Sequence, residues 1–177
     1  MTHESDRAPA SPAPSAPPAA APDPSLADPL TQRSVEIDVA AAFHSALETR
    51  FERETADAVF AEVVADMAAQ GAARWRERFP RPTLSDLWEV WACLGGEGRL
   101  DLHLDQLDER TLRFHVDRCA YADLYRSRGL EELGVAFSCR RDAPFAEAFL
   151  PGVAVTQSRT ILEGAPCCEF TYTLEDR

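Results

Sequence analysis

The chain has 177 residues, 45% of them apolar, and a formal net charge of −12. This length allows one compact domain with a tail, and the apolar fraction is enough to build a core. A strongly acidic protein repels phosphate groups, so nucleic acid and anionic membrane surfaces are not expected partners. The sequence contains no lysine, which excludes Schiff-base, pyridoxal-phosphate and Walker-type lysine chemistry.

The composition changes at about residue 32. Residues 1–32 are rich in Pro, Ala and Ser and are predicted to be a disordered tail, whereas residues 33–177 are predicted to form a single domain. No apolar run approaches the roughly 20 residues of a membrane span, and the tail lacks the apolar stretch of a signal peptide. With five cysteines and no secretion signal, we expect a cytoplasmic protein with reduced thiols.

Three helices are predicted in the first half of the domain. Ser34 is the predicted N-cap of the first helix, whose apolar residues have helical spacing: Val35, Val39, Phe43 and Leu47. The second helix is predicted over 55–78, with an apolar stripe of Phe60, Val63, Val64, Met67 and Trp75. Thr83 and Asp86 predict a capping box at the start of the third helix, and Gly95 is its predicted end.

The spacing of apolar residues then changes from helical to alternating. Two strands on either side of 107–110 predict a hairpin with one apolar face, formed by Leu100, Leu102, Leu104, Leu112, Phe114 and Val116. Short helices are predicted next over 120–149, followed by a second hairpin with strands at 153–162 and 168–174. The predicted class is α+β: N-terminal helices packed on an antiparallel sheet of about four strands, with a helical insertion between two hairpins.

Three cysteines and one acid are the candidates for chemistry. Cys119 ends a strand, Cys139 lies three residues before Asp142, and Cys168 opens the last strand on its apolar face. Thiol and carboxylate groups suit nucleophilic or acid–base chemistry, or the binding of one metal ion. The alternatives are structural, because free cysteines often pack as small apolar residues and Asp before Ala143-Pro144 is typical of a helix N-cap.

Two further pairs of residues have both a functional and a structural interpretation. His103 and His115 are predicted to face each other on the polar side of the first hairpin, as a two-histidine metal site or as solvated side chains. Arg159 and Glu163 flank the turn into the last strand. They suit the binding of a substrate carboxylate and a base, respectively, or a cross-strand ion pair.

The segment from about 114 to 174 resembles the L-2-amino-thiazoline-4-carboxylic acid hydrolase family. The resemblance rests on the stretches RCAYADLYRSRGLEELG, SCRRDAPFAEAFLPG and SRTILEGAPCCEFTY. The positions that match the family pattern are Cys119, Cys139, Asp142, Arg159, Gly164, Cys168 and Phe170. Glu169 stands where the family usually has Asp, and Thr171 where a basic residue is common. These departures concern the identity of the substrate rather than the cysteine–aspartate set.

The resemblance implies a hydrolase that opens a cyclic amidine, so that 2-aminothiazoline-4-carboxylate becomes a carbamoyl cysteine. A thiolate of Cys139 or Cys168 would attack the ring carbon between sulfur and nitrogen. Alternatively, a single divalent, zinc-like metal would activate water, and its ligands would be Cys119, Cys139, Cys168 and Asp142. The absence of a convincing histidine ligand slightly favours the thiolate route.

The remaining roles follow from the same resemblance. Asp142 or Glu163 would transfer protons, and Arg159 and Tyr121 would bind the substrate. The expected cofactor is none or one divalent metal, the expected partner is a small-molecule substrate, and a homo-oligomer is possible. The alternative is a non-catalytic, sensor-like domain that binds a small molecule or metal on the same scaffold.

Overall fold

The structure is a computed structural model that describes residues 28–175. Most of the predicted tail, residues 1–27, therefore lies outside the described residues. The described part contains helices and one antiparallel sheet, as the predicted α+β class requires. Its elements are α1 (Pro29–Glu48), α2 (Arg53–Arg76), α3 (Leu84–Gly95), β1 (Leu100–Leu107), β2 (Thr111–Cys119), α4 (Ala120–Arg126), α5 (Glu131–Phe137), a 3-10 helix (Cys139–Arg141), α6 (Asp142–Phe149), β3 (Val153–Arg159), a second 3-10 helix (Ile161–Glu163) and β4 (Cys168–Leu174).

The first helix begins earlier than predicted. Asp28, not Ser34, is its N-cap, because the Asp28 carboxylate accepts a hydrogen bond from the backbone N–H of Thr31 at 2.8 Å. The predicted apolar stripe is wrong as well. The helix buries Ile37 and Ala40, and the residues it exposes are Val35, Val39 and Phe43.

The second helix also buries a different set of residues from the one predicted from its large apolar side chains. Val63 and Met67, both predicted to face the core, are exposed. The buried face combines two larger side chains with a row of alanines: Ala56, Phe60, Val64, Ala68 and Ala72. Alanine lets neighbouring helices approach closely. The face with the small side chains is therefore buried, and the prediction from large apolar side chains missed it.

The third helix agrees with the sequence prediction. The Thr83 hydroxyl accepts a hydrogen bond from the backbone N–H of Asp86, and the Asp86 carboxylate accepts one from the backbone N–H of Thr83. This capping box starts the helix, and Gly96 is its C-cap. The helix presents Trp91 to the sheet, where the indole ring lies 5.3 Å from the rings of Phe114 and Phe170.

The sheet has the strand order β1-β2-β4-β3, so β1 and β3 are its edges. Its inner face faces the helices and carries the buried side chains of the two central strands: Leu112, Phe114, Val116, Cys168, Phe170 and Tyr172. The rings of Phe114 and Phe170 stack with their centroids 4.8 Å apart. The predicted inward orientation of Cys168 is confirmed, since the residue is buried on this face.

Two β-bulges interrupt the pairing of β1 with β2, one on each strand. Asp117 has no partner where the register moves from Asp101–Arg118 to Leu102–Val116. Asp105 has no partner where the register moves from Leu104–Phe114 to Gln106–Arg113. A bulge re-aims the side chain of its extra residue. Between the two bulges, His103 pairs directly with His115.

Within residues 28–175, no helix is both long and apolar enough to cross a membrane.

Candidate active site

The structure brings three thiols and one carboxyl group into one neighbourhood, in which Cys168 is buried and the other three residues are half-buried. Cys119 ends β2, Cys139 opens the first 3-10 helix, Asp142 is the first residue of α6, and Cys168 is the first residue of β4. The negative charge of the Asp142 carboxylate contributes to the raised pKa of each of the three thiols. Four elements that are distant in the sequence therefore meet here.

Backbone N–H groups hold two of the sulfur atoms. The Sγ of Cys119 accepts a hydrogen bond from the backbone N–H of Ala122 at 3.4 Å and so caps the start of α4. The Sγ of Cys168 accepts one from the backbone N–H of Ile161 at 3.3 Å. The carbonyl oxygen of Ile161 in turn accepts a hydrogen bond from Arg126 Nη2 at 2.6 Å, which ties α4 to the turn beside Cys168.

The position of Cys139 depends on the packing of α5 against α4. Gly134 of α5 lies on the ring of Tyr125, and a Cβ atom at this glycine would lie 2.6 Å from Tyr125 Cγ. Only glycine therefore allows the two helices to approach this closely. The Tyr125 hydroxyl shares a hydrogen bond of 2.8 Å with the Ser138 hydroxyl, which fixes the residue immediately before Cys139.

Asp142 is not the N-cap that the structural alternative proposed. Arg141 occupies the cap position of α6, and no side-chain cap hydrogen bond is formed. Burial raises the pKa of the Asp142 carboxyl to about 7, although the positive charges of Arg141 and Arg33 act to lower it. A carboxyl group with this pKa exchanges its proton near neutral pH, which is the property a general acid or base requires.

The thiols, in contrast, are held in their neutral form. Burial, followed by the charge of Asp142, raises the pKa of Cys139 far above its ordinary value. Burial raises the pKa of Cys168 to about 11, although the hydrogen bond from Ile161 lowers it. Because the thiolate is the reactive form of cysteine, neither thiol is an activated nucleophile without a positive charge or a base beside it.

The four donor groups are more widely spaced than the ligands of one metal ion. Zn–S bonds of about 2.3 Å place the sulfur atoms of a tetrahedral site about 3.8 Å apart. Within residues 28–175, one group of three possible ligands lies within 4.8 Å of one another, and it is His103, His115 and Asp117. A metal at the thiols would therefore require Cys119, Cys139, Cys168 and Asp142 to move closer together.

The other predicted site residues are placed differently from one another. Glu163 lies near enough to Cys139 to raise its pKa, while its carboxylate accepts a hydrogen bond from the Thr160 hydroxyl at 2.6 Å. Tyr121 is half-buried on α4 two residues after Cys119, and burial raises the pKa of its hydroxyl. Arg159 is exposed on β3 and lies 3.7 Å from the Glu169 carboxylate, so the structure does not bring it to the thiols.

Residues that sequence reasoning did not single out also reach this neighbourhood. Arg33 of α1 and Arg141 both act on the charge of Asp142. The Nε and Nη1 atoms of Arg33 are buried without a hydrogen-bond partner, although Glu36 lies 3.1 Å from Nη1. The Tyr172 hydroxyl and the Trp91 indole N–H are also buried without a partner. Unpaired buried polar atoms beside a carboxyl group are groups that a bound ligand can satisfy.

Fold and site together define a small α+β protein with a buried thiol–carboxyl centre. The family model for L-2-amino-thiazoline-4-carboxylic acid hydrolase matches residues 32–172. The chain therefore belongs to the L-2-amino-thiazoline-4-carboxylic acid hydrolase family. The match covers α1 to α3 as well as the C-terminal segment that carries the motifs. Comparison with curated proteins gives no match.

Among solved structures, the chain is similar to the phenol-responsive sensory domain of the transcription activator PoxR, determined with phenol. The two share 13% sequence identity and superpose with a TM-score of 0.51. The similarity covers 77% of this chain and 73% of that one. At this level of identity, the comparison supports the α+β fold and not a shared ligand.

Proposed function

We propose that this protein is a hydrolase that opens a small cyclic amidine carrying a carboxylate, as the family's 2-aminothiazoline-4-carboxylate does. One observation carries the proposal. The Asp142 carboxyl, whose pKa burial raises to about 7, lies among three thiols on whose pKa values its charge acts. A proton-transferring group with a pKa near the working pH is the central requirement for hydrolysis by water.

In the proposed reaction, the Asp142 carboxylate takes a proton from water as the water oxygen attacks the ring carbon between sulfur and nitrogen. The tetrahedral adduct then breaks one ring bond. Protonated Asp142 returns its proton to the leaving nitrogen or sulfur, which gives S-carbamoyl or N-carbamoyl cysteine respectively. The added hydroxyl loses its proton to the second product heteroatom as the carbamoyl C=O forms, so one water is consumed, no redox change occurs and the Asp142 carboxylate is regenerated.

The thiols serve this route best as neutral hydrogen-bond donors near the reacting carbon, because their raised pKa keeps them protonated at pH 7. Direct attack by Cys139 or Cys168 remains the covalent alternative, and it requires a base such as Glu163 to remove the thiol proton first. A bound divalent metal is the third version. Its positive charge would lower the pKa of both thiols and make them ligands.

The substrate carboxylate has a candidate partner inside the site. Arg33 offers buried N–H groups without hydrogen-bond partners, and Arg141 adds a second positive charge nearby. Burial, followed by the positive charge of Arg33, lowers the pKa of Arg141, and a bound anion beside the two arginines would offset both influences. Arg33 and Arg141 are therefore better placed than the exposed Arg159 for this role.

Turnover of 2-aminothiazoline-4-carboxylate by purified protein, followed by mass spectrometry of the carbamoyl cysteine product, tests the proposal. Asp142→Asn is expected to lower kcat about 100-fold or more, the usual loss for a general base. Cys139→Ala and Cys168→Ala are expected to lower activity as well. Cys167→Ala is the matched control, because Cys167 is a half-buried free thiol next to Cys168 that occupies no position of the family pattern. Full activity in Asp142→Asn would overturn the proposed role.

A sensor-like binding domain is the second candidate, and the neutral state of the thiols favours it, since a ligand pocket needs no activated nucleophile. This version predicts stoichiometric binding of the same compound by calorimetry without product. Metal analysis of protein purified without added metal separates the metal version from both others. The free state of all five cysteines suits a reducing compartment, and we propose the cytoplasm.

A further inference from the structure

The outer face of the β1–β2 hairpin carries a cluster that the proposed hydrolase does not use. His103 and His115 are directly opposite each other, with ring centroids 4.9 Å apart and planes inclined by 15°. Both side chains are partly exposed. Two imidazoles held this close on a rigid sheet have little side-chain freedom left to lose on binding a common ligand.

The two bulges direct a carboxylate to each side of this histidine pair. Asp117, the extra residue of β2, lies 3.5 Å from Nε2 of His103 and 3.9 Å from Nε2 of His115. Asp105, the extra residue of β1, lies 2.9 Å from Nδ1 of His115. Asp101 is a further carboxylate, 3.4 Å from Nε2 of His103.

The arrangement is that of a metal-binding histidine with its supporting carboxylate. Hydrogen bonding of His115 Nδ1 to Asp105 fixes the proton on Nδ1 and leaves the lone pair of Nε2 directed at the side where Asp117 lies. Zn–N bonds of about 2.0 Å in a tetrahedral site put neighbouring ligand atoms about 3.3 Å apart. The three donor atoms already lie within 4.8 Å of one another.

We propose that His103, His115 and Asp117 form a binding site for one divalent transition-metal ion of the zinc or nickel class, with Asp105 as the supporting carboxylate. Two imidazoles and one carboxylate are donors that such ions prefer, whereas Ca²⁺ and Mg²⁺ prefer oxygen donors alone. Water would complete the coordination, because the site is open to solvent. The ion would fasten the edge strand β1 to the central strand β2.

This site is separate from the thiol–carboxyl centre, because the sheet lies between them. Val116 and its partner Cys168 face inward, while the next pair, His115 and Glu169, faces outward. Outer-face substitutions therefore remove metal ligands without touching the buried side chains. Loss of metal at the hairpin and loss of hydrolysis are independent results.

Calorimetric titration of the full chain with Ni²⁺ at pH 7.5 tests the site. One ion per chain is expected at the hairpin, and His103→Asn or His115→Asn should each weaken its affinity at least about 10-fold. Asp105→Asn should weaken the affinity about 10-fold, the usual effect of losing a supporting carboxylate. Ni²⁺ should also raise the unfolding temperature of the wild type, and His103→Asn should abolish the rise.

His44→Asn is the matched control. His44 also contacts two carboxylates, those of Glu48 and Asp57, at 3.7 and 3.0 Å, but it belongs to no group of three converging donors among the described residues. Its substitution should leave the Ni²⁺ affinity unchanged within about 2-fold. Equal affinities in the wild type, His103→Asn and His115→Asn would overturn the proposal, and so would no detectable Ni²⁺ binding.

Discussion

The two faces of the sheet favour opposite charge states of the ionisable groups beside them. On the inner side of the sheet, Asp142 of α6 lies near Cys168, and desolvation is the largest influence on the pKa of both groups, so their neutral forms are favoured. On the outer face, the hydrogen bond that His115 donates to the Asp105 carboxylate raises the pKa of His115 and so favours its charged form. The sheet backbone therefore separates ionisable groups whose pKa is set mainly by burial from a histidine whose pKa is set mainly by a carboxylate partner.

The pleat of the sheet keeps the thiol–carboxyl cluster and the histidine cluster of the hairpin apart. Alternation along β2 and β4 sends successive side chains to opposite faces, so neighbours in sequence such as Cys168 and Glu169 have different surroundings. A shift of register by one residue would exchange the two sets. The aromatic packing of Phe114 and Phe170 against Trp91 fixes the register through the inner face.

The largest expected difference between the faces is in stability. Phe114→Ala should lower the free energy of unfolding by about 3 to 5 kcal/mol, because Phe114 is buried and contacts four other aromatic rings on α3 and β4. The adjacent exposed Arg113→Ala should change it by less than about 0.5 kcal/mol. Urea denaturation of both variants measures the contrast, and equal losses would show that the sheet is not packed on one face.

A smaller difference should appear in the pH dependence of stability. The pKa of Asp142 is about 7 in the folded state and 3.8 at its ordinary value. The unfolded chain therefore releases this proton at lower pH, and the contribution of Asp142 to the stability of the wild type falls as pH rises from about 4 to about 7. Asp142→Asn has no such proton, so its stability relative to the wild type should increase by about 2 to 3 kcal/mol between pH 5 and pH 8.

Denaturation of the wild type and Asp142→Asn at both pH values isolates this effect, because all other titrating groups are common to the two proteins. Asp123→Asn is a suitable control, since Asp123 is an exposed aspartate on α4. A constant difference between the wild type and Asp142→Asn across this range would show that the carboxyl is not desolvated. It would also remove the reason for giving Asp142 the role of proton carrier.

The features that the sequence predicted well are those with local causes. The capping box of Thr83 and Asp86 and the inner residues of β2 and β4 depend on contacts within a few positions or on simple alternation. The cysteines and Asp142 were found through the order of motifs, and the structure brings them together. Their separation, which decides between a metal site and a thiol–carboxyl site, depends on packing between four elements.

The errors concern features that depend on tertiary contacts. Several apolar residues of α1, such as Val35 and Phe43, have the spacing of a core face, yet the helix packs through Ile37 and Ala40. Arg33 gave no sequence signal, because only burial distinguishes it from other arginines on amphipathic helices. The bulges that aim Asp105 and Asp117 at the two histidines were not predictable from alternation.

The smallest effect compares two arginines on opposite sides of the sheet, and it depends on the proposed hydrolysis. Arg33→Gln should raise KM about 10-fold with little change in kcat, since loss of one charged hydrogen bond to the substrate carboxylate costs about 1.5 kcal/mol. Arg159→Gln, which removes an exposed side chain paired with Glu169, should change KM less than about 2-fold. If KM instead rises in Arg159→Gln and not in Arg33→Gln, the substrate reaches the thiols from the β3 edge. A KM change in Arg33→Gln that Arg33→Lys partly restores would identify charge rather than helix packing as the cause, because lysine keeps the cation but not the planar fork.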